Sequence, residues 1–255
     1  MSWQHYALLW LSGLAAGAVN ALAGGGTLIT FPTMVALGLP SLVANVSNTV
    51  ALCPGYLGAA LAQRRDLAPQ QRRVAVLTPI ATVGGIAGAY VLRHTSAGAF
   101  DRVAPFLVLA AVGLLAAGPW IKRRAQRAGA APGPANLALA SLATAAVALY
   151  GGYFGAGMSV MIIAMLGVML HDSLVRVTAL KQLLALVING AAAAYLLLTN
   201  GDSGLVRWPV VLVVGSAAVV GGAAGARLSQ RINEATLRAV VIAIGVAFAV
   251  SYWVR

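Results

Sequence analysis

The chain has 255 residues, of which 60% are hydrophobic and 9% charged, with a mean hydropathy of +0.88. Soluble domains carry about 25% charged residues, so this composition excludes a water-soluble globule and a disordered chain and points to an integral membrane protein. Seventeen Lys and Arg against five Asp and Glu give a net charge of +12. The cations are thinly spread between apolar runs, which fits the loop bias of membrane proteins better than nucleic-acid binding.

In chain order, no basic residue precedes the first apolar stretch, so that stretch is expected to stay in the mature protein rather than serve as a cleaved signal. Residues 6–23 are apolar, Gly24-Gly25-Gly26 interrupts, and 27–39 resume with Pro32 inside. Residues 41–62 form the next run, ending at Gln63-Arg64-Arg65-Asp66, and 74–92 and 103–121 are clear spans of about 20 residues. The basic run 122–127 leads into a Gly/Ala/Pro stretch, 128–135, that reads as a linker. Then 136–153 is apolar, Gly155-Ala156-Gly157 interrupts, and 158–170, 173–199, 208–226 and 237–254 complete the set. No segment alternates with period two, so a membrane β-barrel is not supported. The lone cysteine, Cys53, reads as a small buried hydrophobe.

The halves resemble each other. VGGIAGA at 83–89 matches VGGAAGA at 220–226 at six of seven positions. The run 23–39 aligns with 154–170, which pairs Gly24 with Gly155 and Gly26 with Gly157, and the same offset in the helices that follow pairs Ser47 with Thr178. The expected organisation is therefore an all-α integral membrane fold of two repeats, 1–127 and 128–255, each a Gly-broken helical hairpin plus three spanning helices. Basic residues discriminate between a hairpin and a single broken crossing. Arg64, Arg65, Arg72 and Arg73, then Lys122, Arg123, Arg124 and Arg127, then Arg227, Arg231 and Arg238 make up eleven of the seventeen cations. Only the hairpin arrangement puts these three clusters on one side, so the loops 63–73, 122–134 and 227–238 are expected to be cytoplasmic. Five pieces per repeat is odd, so the second repeat is expected to be inverted. The arms 27–39 and 158–170 reach about 20 Å as helix, short of a bilayer of about 30 Å, which favours re-entrant arms.

Inverted repeats with Gly-interrupted segments at matching positions point to a secondary transporter. Broken helices offer backbone N–H groups and positive helix ends to an anion; the same glycines also serve tight turns and close packing. The candidate substrate-binding residues are Gly24, Gly25, Gly26 and Thr27 at the first break, and Gly155 and Gly157 at the second. Asn45, Ser47 and Asn48 follow in the third run, and Thr178, Lys181 and Gln182 in its counterpart. Lys181 starts about 12 Å inside its span, where a cation costs at least about 2.5–3.5 kcal/mol, so an anionic partner or snorkelling must accommodate it. For His171-Asp172 a proton relay competes with a solvated loop or an N-cap. No Walker loop is present, and the three histidines fall at span ends, which leaves a Ser/His protease poorly supported.

GAVNALAGGGTLITFPTMVALGLP at 17–40, VANVSNTVALCPGYLGA at 43–59, YGGYFGAGMSVMIIAMLG at 150–167 and VRVTALKQLLALVINGAAA at 175–193 together resemble the TauE/SafE family of sulfite-exporter-like membrane proteins. The resemblance spans essentially the whole chain. It implies a transporter of small sulfur-containing anions, with Gly24, Gly25, Gly26, Pro32, Asn45, Ser47, Gly155, Gly157 and Lys181 at family-like positions. Ala156 interrupts the second glycine run and Ile163 stands where the first half has Pro32, so the half-sites are unequal.

The expected function is export of a small anion, sulfite or an organosulfonate, across the inner membrane by alternating access, with no enzymatic activity, no cofactor and no metal. The expected partners are the anion and the lipid bilayer, not nucleic acid; a homodimer is compatible with the sequence. An intramembrane enzyme acting on lipid or peptide, or a non-transporting assembly subunit, remains the alternative.

Overall fold

A computed structural model describes residues 1–22, 24–130, 136–200, 204–228 and 234–254. The regular structure there is helical: α1 (Trp3–Leu22), α2 (Thr27–Ala36), α3 (Ser41–Ala62), the short α4 (Arg64–Leu67) and a single 3₁₀ turn (Ala68–Gln70), α5 (Gln71–Arg93) and α6 (Ala97–Ala130). They are followed by α7 (Leu137–Tyr153), α8 (Met158–Met169), α9 (Leu174–Asn200), α10 (Trp208–Leu228) and α11 (Glu234–Val254). The runs predicted from composition thus become helices with ends shifted by a few residues. One difference is larger. α6 continues through the basic run and into the expected linker as far as Ala130, because Lys, Arg, Gln and Ala are strong helix formers. The expected boundary between 127 and 128 therefore falls inside α6, and linker residues 131–135 lie outside the described residues.

Among the described residues, three stretches are long and apolar enough to cross a bilayer, Arg64–Arg93, Ala97–Ile121 and Leu174–Thr199. The exterior is apolar: Leu198 is 86% exposed, Leu142 71%, and Val83 and Leu212 68% each. The interior holds Asn45, Ser47, Asn48, Lys181 and Gln182, all buried. Polar inside and apolar outside is the arrangement lipid selects.

Two helix pairs dominate the packing. α1 lies along α10, and α5 along α7; α3 also packs on α10, α5 on α9, α2 on α11 and α6 on α8. Small residues set these approaches. A Cβ at Gly13 would stand 2.7 Å from the Val214 carbonyl oxygen, and one at Gly84 would stand 2.5 Å from the Ala148 Cβ and 3.2 Å from the Ala145 carbonyl oxygen. At the first seam a Cβ on Gly221 would run into the Leu14 carbonyl.

α8 folds back beside the start of α7: the Asn136 N–H donates to the Met169 carbonyl at 3.0 Å. The two arms of this hairpin therefore end together. Phe31 of α2 meets Phe154 of the second break at 5.3 Å and Phe248 of α11 at 5.6 Å between ring centroids, edge to face, and Phe100 of α6 joins them. Such pairs add about 0.5–1.5 kcal/mol each beyond their buried area.

The described loop cations lie outward, with Arg64, Arg65, Arg72, Arg123, Arg124 and Arg127 exposed. Arg238 differs: it sits in the second turn of α11, 9% exposed, packed against Gly118 of α6. The side chains of Lys122 and Arg227, and residue Arg231, lie outside the described residues.

Candidate functional site

The first break carries the chain from α1 to α2 with Gly24 at φ +77° and Gly25 at φ +102°. The second uses Gly155 at φ +78° and Gly157 at φ +74°. A side-chain-bearing residue pays about 1–2 kcal/mol in this left-handed region, so these glycines are fixed by the turn itself. Each break is closed by a side chain six residues before the atom it holds. Asn20 Oδ1 accepts the Gly26 N–H at 2.8 Å, and the Tyr150 hydroxyl donates to the Ala156 carbonyl at 2.6 Å.

The helix starts bond inward as well. Leu28 N–H reaches the Gly25 carbonyl, and Ile29 and Thr30 N–H reach that of Gly26, at 2.9–3.2 Å. Met158 N–H reaches the Gly155 carbonyl, and Val160 and Met161 N–H that of Gly157, at 3.0–3.3 Å. These bonds take up much of the donor capacity that bare helix ends would offer an anion. Thr27, at the start of α2, is buried.

The breaks come together. A Cβ at Gly24 would stand 2.8 Å from the Ser159 Cβ in the first turn of α8. Gly157 rests on Ala111 of α6, and Gly25 faces Leu115 of the same helix.

The polar face of α3 mostly cross-links neighbours. Asn45 Nδ2 donates to the Tyr153 carbonyl of α7 at 2.9 Å, while its Oδ1 is buried with no partner among the described residues. Ser47 Oγ accepts the Arg207 N–H at the start of α10 at 3.0 Å. Asn48 Oδ1 accepts the Thr30 hydroxyl of α2 at 2.5 Å. Cys53 is half-buried and its thiol lies 3.2 Å from the Thr49 carbonyl.

In α9, Thr178 is half-buried, Lys181 is 4% exposed and Gln182 2%. Thr178 and Gln182 share a face by their spacing. Gln182 lines a cavity of about 280 Å³ bounded by α1, α3, α9 and α10; Lys181 is not part of that lining. Asn20 lines it too. Reasoning from sequence missed Asn20, although it is the one amide in the apolar run 6–23. Asn189 donates to the Ala185 carbonyl of its own helix at 3.0 Å.

Outside the spanning segments, the turn between α8 and α9 is tied to the start of α5. Arg73 Nη1 donates to Asp172 Oδ2, and Nη2 donates to the Leu170 carbonyl at 3.3 Å. Gln70 Nε2 donates to the Arg176 carbonyl at 3.0 Å, and Arg176 itself reaches Asp172 Oδ1 at 3.4 Å. Partial burial works to raise the Asp172 carboxyl. Hydrogen bonds from Arg73 and the Ser173 N–H, with the charges of Arg73 and Arg176, outweigh it and hold the group below the usual carboxylate range. Ser173, whose hydroxyl accepts the Arg176 N–H at 3.4 Å, caps α9 in place of Asp172. His171 has φ +46°.

The sequence pattern of the family described as "Sulfite exporter TauE/SafE" matches residues 9–252. A "Probable membrane transporter protein" of Haemophilus influenzae is 26% identical over 242 residues, covering 92% of this chain and 89% of the relative. "Probable membrane transporter protein ORF9" of a Sinorhizobium species is 23% identical over 251 residues, 98% of this chain and 93% of the relative. "Probable membrane transporter protein YfcA" of Escherichia coli strain K12 matches over 106 residues at 27% identity, 40% of this chain and 38% of the relative. No solved structure matches. A pattern match running through nearly all of the helices, together with an apolar exterior and relatives named as transporters, places this multi-pass membrane protein in the TauE/SafE family.

Proposed function

We propose that the chain is a secondary transporter that exports a small anion, sulfite or an organosulfonate, across the inner membrane. The mechanism is alternating access at a site between two inverted repeats. One observation carries this reading: two glycine-broken hairpins from opposite halves of the sequence meet inside the protein, Gly24 against Ser159, among buried polar side chains. Irregular backbone at membrane depth is tolerated where protein or a cavity surrounds it, and that is where transporters bind substrate.

The packing supports the inverted repeat. Exchanging the halves turns the α1–α10 pair into α7–α5 and the α3–α10 pair into α9–α5, and both members of each exchange are present. At the seams, Gly221 meets Leu14 where Gly84 meets Ala145, which are equivalent positions in the repeat alignment. The α7–α8 hairpin, closed by Asn136 and Met169, supports the arrangement in which the three basic clusters share the cytoplasmic side.

In this reading Lys181, buried in α9, supplies the positive charge, and Asn45, bonded to the Tyr153 carbonyl just before the second break, supplies a polar contact. A membrane potential negative inside favours exit of an anion by about 2.3 kcal/mol per charge per 100 mV, so export needs no coupling ion. The test is flux of radiolabelled sulfite and of an alkanesulfonate into inverted vesicles. We expect saturable uptake that falls at least about tenfold in Lys181→Ala and in Asn45→Ala at matched amounts of folded protein. Unchanged flux in both variants would remove the site assignment, and no flux of any anion would remove the function.

A further inference from the structure

Packed helices expose a central site to one face only where two parts of the molecule separate. The α5–α9 and α3–α10 packings are such seams, each joining a helix of the first half to one of the second. The alignment of the halves sets the start of α5 against the start of α10, and the α8–α9 turn against the α2–α3 turn. The two seams therefore end in equivalent places, but not in the same chemistry. At the α5 end, Arg73 donates to Asp172 and to the Leu170 carbonyl, and Gln70 donates to the Arg176 carbonyl at 3.0 Å. Arg176 reaches Asp172 from the other side at 3.4 Å. At the α10 end the position of Arg73 is taken by Val210, 2% exposed, and that of Asp172 by Ser41. These two cannot form a charge pair, and the Arg207 N–H on Ser47 Oγ at 3.0 Å ties that seam.

Three features mark the charged end as a closure that opens rather than a brace. The side chains of Arg73 and Asp172 are 20% and 12% exposed and that of Arg176 49%, so water can replace each bond as it breaks. Lys181 follows Leu174, the first residue of α9, by seven residues, about 10 Å of helix, so the cluster stands between Lys181 and the nearer end. His171, in the turn itself, has φ +46° and is the only non-glycine residue in the left-handed region among the described residues. Backbone strain of this kind collects at switch regions.

We propose that the Arg73–Asp172 pair is a latch on one mouth of the transport path. It releases when the α8–α9 turn swings away from α5, while the opposite mouth, at Val210 and Ser41, closes without charge. The proposal rests on the transport reading above and adds how access to its site is controlled. Arg73 and Asp172 are positioning residues: they hold two segments together and leave the anion to others.

The test is a locking experiment on the full chain carrying Cys53→Ser, reconstituted in vesicles. Arg73→Cys with Asp172→Cys, joined by a short bis-methanethiosulfonate, is expected to lose at least about tenfold in sulfite or alkanesulfonate flux. Dithiothreitol should restore it, with the same protein before linking as the reference. A pair that only braces the fold would carry flux undiminished when linked. Opening is read separately in nanodiscs, from Thr178→Cys, half-buried in α9 between the latch and Lys181. Its labelling by a polar maleimide should accelerate about tenfold when Asp172→Asn is added. Undiminished flux in the linked pair, or labelling that Asp172→Asn leaves unchanged, would overturn the proposal. The locking arm decides alone if Asp172→Asn fails to fold. Flux that survives linking removes the latch and leaves the transport reading standing. Faster labelling with no flux of any anion supports the latch and removes the transport reading.

Discussion

Asn45 shows why a polar residue in an apolar helix must be read with its partners. The sequence places it on one face with Asn48 and makes both candidates for substrate. In the structure Asn48 is committed to Thr30 and Ser47 to the Arg207 N–H, so these two hold α2 and α10 to α3. Asn45 is divided: its NH₂ bonds the Tyr153 carbonyl, and its Oδ1 is buried with no partner among the described residues. Asn45→Ala removes the cross-helix bond and strands a buried carbonyl, a loss of about 1–3 kcal/mol. A lowered melting temperature in detergent is the expected readout, and an unchanged one would mean that Tyr153 finds another donor. None of these partners was legible beforehand, because each lies on a different segment of the chain, up to 160 residues away. The residue types were legible, since an amide or hydroxyl in lipid must bond to something.

The helices and their breaks were the most legible level. Apolar run length matched α3 at 41–62 to the residue, and Gly24-Gly25-Gly26 and Gly155-Ala156-Gly157 marked the two turns. The end of α6 was not legible, because Gly and Pro near 128–135 read as a linker while the preceding Lys/Arg/Ala stretch favours helix as far as Ala130. Nor did run length tell that the breaks would touch. Gly24 is constrained twice, by its φ of +77° and by the Ser159 Cβ at 2.8 Å from where its own Cβ would be. Gly24→Ala is therefore expected to cost about 1–2 kcal/mol from the backbone alone, plus the clash. Adding Ser159→Gly should recover the clash and not the backbone cost. Thermal unfolding of the two single variants and the double variant checks this, and full recovery, or none, would count against the geometry.

Across the whole molecule, the Arg73–Asp172 pair joins the start of α5 to the turn between α8 and α9, with Gln70 and Arg176 around it. Sequence reasoning weighed Asp172 as a relay or a cap and missed this tie, which spans 99 residues. Because the folded-state pKa of Asp172 is depressed, the stability it contributes is complete above the unfolded carboxyl value of about 3.9 and is lost as pH falls through the folded value. Asp172→Asn should therefore melt below the parent chain at pH ~7, with the gap closing as pH drops below about 4. A gap that persists unchanged in acid would show that the carboxylate charge is not what matters. A charge count sums over many residues and so bears on which loops share a side, while an ion pair such as Arg73–Asp172, between the start of α5 and the turn after α8, does not announce itself in a count.

The pairing of α1 with α10 has a consequence for how the chain is made. α1 leaves the ribosome roughly 190 residues ahead of α10, which at about 5–20 residues per second is a delay of roughly 10–40 s. Through that interval its glycine face, Gly13 and Gly17, has no seam to close and Asn20 has no finished cavity to line. An early helix of this chain thus waits for one of the latest to cover its small-residue face.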